Sequence, residues 1–343
     1  MSLIASAVSV VERAPLPDAV LRMGVGYLVG RTRERLSAAP PTSVDAFARD
    51  MANYPIAIHT REANAQHYEV PARFFELALG PRRKYSCCFY ERPETTLAEA
   101  EVRALEETVR HADLADGQSI LELGCGWGSL SLSMAQTFPK ARITAVSNSS
   151  SQRAHIETEI ARQGLANLRV ITADMNDFRT EGPFDRIVSV EMFEHMSNWR
   201  PLLSRVREWL AADGKLFIHI FTHRNQPYRF DHNEKADWIA QHFFTGGIMP
   251  SRQLIHSFGD LFEVEQEWLW NGVHYQRTAL DWLRNFDARR DEIDAVLRDA
   301  YASDAALWRR RWRLFFLATE GLFGDSNGEE WAVSHYRLRP SRG

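Results

Sequence analysis

Short apolar runs bounded by polar or glycine residues recur from Gln118 onward, separated by stretches with helical spacing. Ser119–Gly124, Arg142–Ser147, Leu168–Asp174, Phe184–Glu191, Lys215–Phe221 and Phe262–Trp270 read as six strands. Helical spacing fills the gaps at Leu130–Ala135, Gln152–Gln163 and Trp199–Leu210. Strands alternating with helices predict a parallel, doubly wound sheet. A further strand is predicted at Glu330–Arg339, after a helical region over Ala279–Leu322. That region and His223–Ser257 exceed a minimal sheet, and they follow strand ends where such folds build substrate sites. The first 110 residues read as helices joined by proline-containing breaks. Ala19–Arg35 carries apolar Leu21, Val25, Leu28 and Val29 at helical spacing. Arg31, Arg33 and Arg35 near its end complement the helix dipole, and Ser37–Pro41 reads as a linker.

Composition narrows the class. The 343 residues suit one large α/β domain with additions or two small domains. A net charge of −4 gives no electrostatic case for nucleic acid. Ten Trp and nineteen Phe either fill a core or wall a pocket for an apolar or cationic substrate. Three cysteines, Cys87, Cys88 and Cys125, do not make a disulfide framework and point to a reducing compartment. With no CxxC or HExxH sequence, no metal site is expected. The apolar stretch at the start has no basic residue ahead of it, unlike a secretory signal. No run approaches the ~18 apolar residues of a membrane span, so a cytoplasmic location is expected.

The segment Glu122-Leu-Gly124-Cys-Gly126-Trp-Gly128 follows the first strand and opens a helix. Glycine there permits a tight turn and lets backbone N–H groups approach a ligand. The spacing is GxGxG, against the GxGxxG of dinucleotide binders, and no lysine stands in the loop to meet a phosphate. A ligand carrying a carboxylate, an ammonium and a ribose fits this turn better. A dinucleotide enzyme with a variant loop is the competing reading.

Beyond this turn, Tyr85–Tyr90, Thr95–Leu97, Glu191–Met196, Phe243–Gly247, His274-Tyr275 and Asn327–Trp331 complete a recognisable set. Together they resemble the cyclopropane-fatty-acyl-phospholipid synthase superfamily of class I methyltransferases, and within it the coclaurine N-methyltransferase-like branch. The resemblance runs from about Tyr68 to Leu338. It implies an α/β fold with a Rossmann-like, mostly parallel, seven-stranded sheet, N-terminal helices and a helical cap. The implied division is 1–110 helical, 111–272 core, 273–327 cap and 328–343 last strand. S-adenosyl-L-methionine is the implied cofactor and S-adenosyl-L-homocysteine its product. Carried over, Tyr85, Ser86, Gly124 and Gly126 hold that cofactor. Asn148 and Gln152 contact its ribose, and Asp174 and Met175 flank its adenine. Many methyltransferases carry an acid where Asn148 stands, and amides there are what the family leads one to expect.

Glu191, Glu194 and His195 concentrate two carboxylates and an imidazole at the end of the fourth strand. A helix starting there would put the two acids one turn apart on one face. An amine attacks a methyl group only with a free lone pair, so a protonated amine needs a base, and His195 or a pocket Glu would serve. The resemblance places this trio around the substrate nitrogen. Its alternative is cyclopropanation of a lipid alkene, where a bound bicarbonate is held by residues matching Cys87, Glu194, His219 and Tyr275. Glu191 favours the amine, because the lipid enzymes carry a small apolar residue there and a charge beside an acyl chain is costly.

The expected substrate pocket includes Cys87, His219, Phe244 and Tyr275, with Trp238, Phe243, Trp268 and Trp270 as further aromatic wall. The run Arg82-Arg83-Lys84 would lower a neighbouring thiol pKa, although nucleophilic cysteine chemistry is not expected without a nearby base. His223, His232, His242 and His335 have no evident partner and read as surface or core histidines. The implied partner is a small-molecule amine, with membrane lipid only under the alternative. The apolar helices at both ends suit a homodimer.

Overall fold

The computed structural model describes residues 12, 14, 16–38, 44–58, 70–231, 233 and 237–342. Tyr68, His232 and the 39–41 part of the expected linker lie outside them. Helices α1 (Asp18–Ala38), α2 (Val44–Asp50), α3 (Ala72–Ala78) and α4 (Leu97–His111) precede the sheet. Then come β1 (Ser119–Leu123), α5 (Ser129–Thr137), β2 (Arg142–Ser147), α6 (Ser150–Gln163), β3 (Leu168–Thr172), β4 (Phe184–Val190), α7 (Trp199–Trp209) and β5 (Leu210–His223). A small ribbon of β6 (Tyr228–Arg229) and β7 (Ile248–Met249) brackets α8 (Trp238–His242). The chain ends with β8 (Phe262–Trp270), α9 (Val273–Ala288), α10 (Arg290–Tyr301), α11 (Ala305–Gly324) and β9 (Trp331–Pro340).

The seven-stranded sheet has the order β3-β2-β1-β4-β5-β9-β8. The pairs from β3 to β5 are parallel, and β9 lies antiparallel to both β5 and β8. Strand order reverses between β1 and β4, so a crevice opens beyond their carboxyl ends. The central strands are apolar on both faces, as Ile120, Leu121, Ile187 and Val188 show by complete burial, because helices cover both sides.

Local chemistry sets the helix bounds. Thr96 caps α4 in a reciprocal capping box with Glu99. Ser149 caps α6, which stops at the left-handed Gly164. Ser37 and Ala38 finish α1, so the linker does not begin at Ser37. The predicted helical region is three helices that start earlier, at Val273, with breaks at Arg289 and Ala302. Arg33 does more than complement the α1 dipole. It meets Asp325 at 2.9 Å, while Arg22 meets Glu320 at 3.0 Å and Arg313 meets Asp18 at 2.5 Å. These pairs tie α1 across α11. No helix among the described residues is long and apolar enough to cross a membrane.

Candidate functional site

The glycine turn after β1 adopts backbone angles that other residues rarely reach. Gly124, Gly126 and Gly128 have φ of 80°, 51° and 81°. The amides of Gly124 and Cys125 both donate to the Val146 carbonyl, at 3.0 and 2.9 Å, which fastens the turn to β2. A side chain on Gly124 would come within 2.7 Å of Met192 Cβ, whereas one on Gly126 would meet nothing within 4 Å. Gly126 therefore leaves a cradle open at the mouth of α5.

One cavity runs past this cradle. Tyr85, Ser86, Gly124 and Gly126 line it, as do Asn148, Gln152, Asp174 and Met175. The structure thus brings together every residue that the sequence assigned to the cofactor. Beside the cradle, the buried wall atoms Trp127 Nε1, Ser129 Oγ and Gln152 Nε2 have no hydrogen-bond partner. Gln152 Oε1 is already engaged, accepting from Ser147 Oγ at 2.6 Å. Unmet donors beside an open glycine cradle suit a polar ligand with a ribose and an amino acid end, so the residues present fit S-adenosylmethionine. Glu122 is buried against the Ser131 hydroxyl, and burial pushes its carboxyl up to about 7.

Lys84 also lines this cavity, and sequence reading placed it only in a basic run. Its buried Nζ donates to Ser86 Oγ and to the Cys87 carbonyl, both at 2.6 Å, and so fixes the Tyr85-Ser86 segment. Glu101, accepting from the Lys84 amide at 3.1 Å, is its buried countercharge. A lysine five positions before a run of aromatics carries no signal of this role without the fold.

The far end of the cavity is acidic and aromatic. Glu191 follows β4 directly with φ of 48°, a left-handed angle that a non-glycine residue holds only under tertiary constraint. Its amide donates to the His219 carbonyl at 2.8 Å. Its carboxylate accepts from the Cys87 amide at 2.9 Å, from His219 Nε2 at 3.2 Å and from the Tyr275 hydroxyl at 2.6 Å. Burial nevertheless raises its pKa, with Lys84 and these hydrogen bonds opposing. Three residues that the resemblance assigned to a bicarbonate, Cys87, His219 and Tyr275, converge instead on a carboxylate of the chain itself.

The expected helix at Glu191 does not form. Phe193–His195 make a single 3₁₀ turn, and the two acids are brought together by the cavity, not by a helical face. Both Glu194 oxygens are buried without a hydrogen-bond partner. Burial, then the charge of Glu191, pushes the Glu194 carboxyl well above its ordinary range. His195 stacks on Phe244 with centroids 5.0 Å apart and planes 5° apart. Burial lowers its pKa to about 4, so it is a free base at neutral pH.

Several expectations are corrected here. Phe244 and Tyr275 line the cavity, but Cys87 and His219 lie behind Glu191 and do not reach the wall. Trp238, Phe243, Trp268 and Trp270 are not on the wall either. Phe243 stacks on Phe315 and Trp270 packs against Phe89, both as core rings, while Trp268 lies half-buried on the far side of the sheet edge, stacked on His111. Burial raises both thiols, Cys87 and Cys88, far more than Lys84 lowers them. The histidines have partners: His223 meets Glu330 at 3.0 Å, His242 meets Glu12 at 3.0 Å and His335 meets His111 at 2.7 Å. His223 and His335 are core residues, as expected.

A sheet whose last strand inserts antiparallel beside β5, with an open glycine cradle at the switch point, is the construction of a class I S-adenosylmethionine-dependent methyltransferase. Residues 57–329 match the family model of mycolic acid cyclopropane synthetase. The chain belongs to that family. It is 37% identical over 285 residues to (S)-coclaurine N-methyltransferase of Thalictrum flavum subsp. glaucum, covering 82% of this chain and 79% of the relative. Pavine N-methyltransferase of the same plant is 32% identical over 292 residues, covering 84% and 82%. A crystal structure of coclaurine N-methyltransferase bound to N-methylheliamine and SAH superposes with a TM-score of 0.92 at 32% identity. That match covers 98% of this chain and 100% of the other.

Proposed function

We propose that this enzyme methylates the nitrogen of a small secondary amine carried on an aromatic ring system. The observation that carries the reading is Glu194, a buried carboxyl at the cavity wall with no hydrogen-bond partner, beside a second buried acid. A cationic amine entering this end would satisfy Glu194, whereas an acyl chain would lie beside the buried Glu191 carboxylate, which is costly to desolvate. Phe244, Tyr275 and Phe315 on the same wall supply apolar and π surface for a flat ring. The relatives named for coclaurine and pavine N-methylation support the same substrate class.

In this reading Tyr85, Ser86, Gly124 and Gly126 hold the cofactor, Asn148 and Gln152 the ribose, and Asp174 and Met175 the adenine. When bound, the cofactor supplies a methyl group on a positively charged sulfur. Glu191 and Glu194 attract and orient the ammonium form of the substrate. Neutral His195 or an ionised acid then takes the proton that blocks the nitrogen lone pair. The 273–327 segment acts as a cap, closing the acceptor end with Tyr275 and Phe315 and so keeping water from the transfer.

The test is incubation with methyl-labelled cofactor and either tetrahydroisoquinoline-type secondary amines or vesicles of unsaturated phospholipid. Label is expected in the amine. Label in ring-modified acyl chains, with none in amines, would overturn the proposal.

A further inference from the structure

The ammonium of Lys84 lies on the cavity wall at 3% exposure, behind the segment that joins the cofactor end to the acceptor end. Its Nζ donates to two neutral acceptors, Ser86 Oγ and the Cys87 carbonyl, both at 2.6 Å. Glu101 on α4 is spent on the backbone instead, accepting from the amides of Arg82 at 2.8 Å and Lys84 at 3.1 Å. Among the described residues no carboxylate pairs with Nζ itself. A buried cation held by neutral oxygens alone is costly, and an anion arriving beside it recovers that cost.

Donor bookkeeping decides what Ser86 can do. An ammonium has three N–H donors and no acceptor, so in the Lys84–Ser86 contact the hydroxyl oxygen can only accept. The Ser86 hydrogen is left to donate elsewhere, and no acceptor among the described residues takes it. Ser86 is 5% exposed and lines the cavity. A hydroxyl that accepts from a cation is polarised into a better donor, and such a donor is strongest toward an ionised acceptor. With the ribose at Asn148 and Gln152 and the adenine at Asp174 and Met175, the amino-acid end of S-adenosylmethionine falls to Tyr85, Ser86 and the glycine turn. The carboxylate there is the anion that this cofactor carries.

We propose that Lys84 is a positioning residue for the cofactor carboxylate, fixing Ser86 as a hydrogen-bond donor toward it and supplying positive charge from behind the hydroxyl. The proposal rests on the assignment of Tyr85 and Ser86 to the cofactor made above. Lys84 acts through Ser86, whose hydroxyl would otherwise rotate freely between donor directions.

Binding is the readout. Lys84 also holds the Cys87 segment, whose amide donates to Glu191 at 2.9 Å, so activity would mix two effects. Calorimetry compares S-adenosylhomocysteine with 5′-methylthioadenosine, which lacks the amino-acid end. The proteins are wild type, Lys84→Met, Ser86→Ala and the double variant. Each single substitution is expected to raise the Kd for S-adenosylhomocysteine about tenfold. Methylthioadenosine should bind all four with the wild-type Kd. The double variant should also stay about tenfold weaker, against the roughly hundredfold of independent contributions. Equal losses for both ligands mark a merely structural role and overturn the proposal. Additive losses mark a direct ion pair between Lys84 and the ligand and overturn it too. A crystal structure of the wild type with S-adenosylhomocysteine decides the same point without any substitution. The carboxylate is expected within hydrogen-bond reach of Ser86 Oγ with Lys84 Nζ behind it, and a carboxylate bound elsewhere overturns the proposal. A wild type that binds neither ligand overturns the cofactor assignment and the proposal with it.

Discussion

At the scale of single residues, Glu191 and Glu194 differ although both are buried acids. Glu191 is built in, accepting from Cys87, His219 and Tyr275. Glu194 is held by none. Glu194→Gln is therefore expected to lower kcat/KM for amines about 100-fold while leaving thermal stability close to wild type. Glu191→Gln turns an amide nitrogen toward groups that donate, and should cost about 1–3 kcal/mol of stability as well as activity. Thermal denaturation beside steady-state kinetics separates the two. Loss of stability in the Glu194 variant alone would contradict this division. The identities of these two acids and of His195 are legible in the sequence. Their geometry is not, because a helix and a 3₁₀ turn differ by a tertiary preference that neighbouring residues do not encode.

At the scale of elements, the β1–α5 turn is the part most fully specified by local sequence. Three glycines at alternate positions all occupy positive φ, yet they serve different ends. Gly124→Ala adds strain and a collision with Met192, so a loss of about 2–4 kcal/mol is expected. Gly126→Ala costs only the backbone strain, about 1–2 kcal/mol, because its Cβ finds open space. That Cβ enters the cradle, so the second variant should instead lose affinity for S-adenosylmethionine. Melting temperature and calorimetric cofactor titration read the two effects apart. Equal affinities for wild type and Gly126→Ala would remove the cradle from the cofactor site.

At the scale of the whole molecule, buried titratable groups make stability depend on pH. Burial lowers His111, His195 and His274 from 6.5 to about 4. In the unfolded chain these rings take up protons below pH 6.5, while the folded protein refuses them until about pH 4. Their contribution is complete above pH 6.5 and is lost as the pH falls toward 4. Glu122 has the opposite sign. Raised from 4.5 to about 7, it favours the fold below pH 4.5, and that benefit fades as the pH rises to 7. His155, His219, His223 and His335 are lowered in the same sense, and these seven histidines outnumber the four acids that burial raises, Glu101, Glu122, Glu191 and Glu194, so stability should fall on acidification from pH 6.5 to 4, by on the order of 1–3 kcal/mol per pH unit. Glu122→Gln should stabilise increasingly between pH 4.5 and 7. Denaturant titrations across that range measure both slopes, and a flat profile would contradict them.

The sequence by itself determined the sheet, the glycine turn and the chemistry-bearing residues, because short apolar runs, glycine spacing and short motifs act within a few residues of one another. All seven strands of the sheet were legible in that way, and the eight residues that the family resemblance assigned to the cofactor line one cavity. Only the tertiary structure decided which aromatic rings face the cavity and which fill the core, since both environments reward the same apolar surface. It alone showed that Lys84, from a run of basic residues, fixes the Tyr85-Ser86 segment at the cavity wall. It also packed His111, His219 and His335, scattered over more than half the chain, against one another, because a ladder register and a helix packed on it are facts of the assembled sheet.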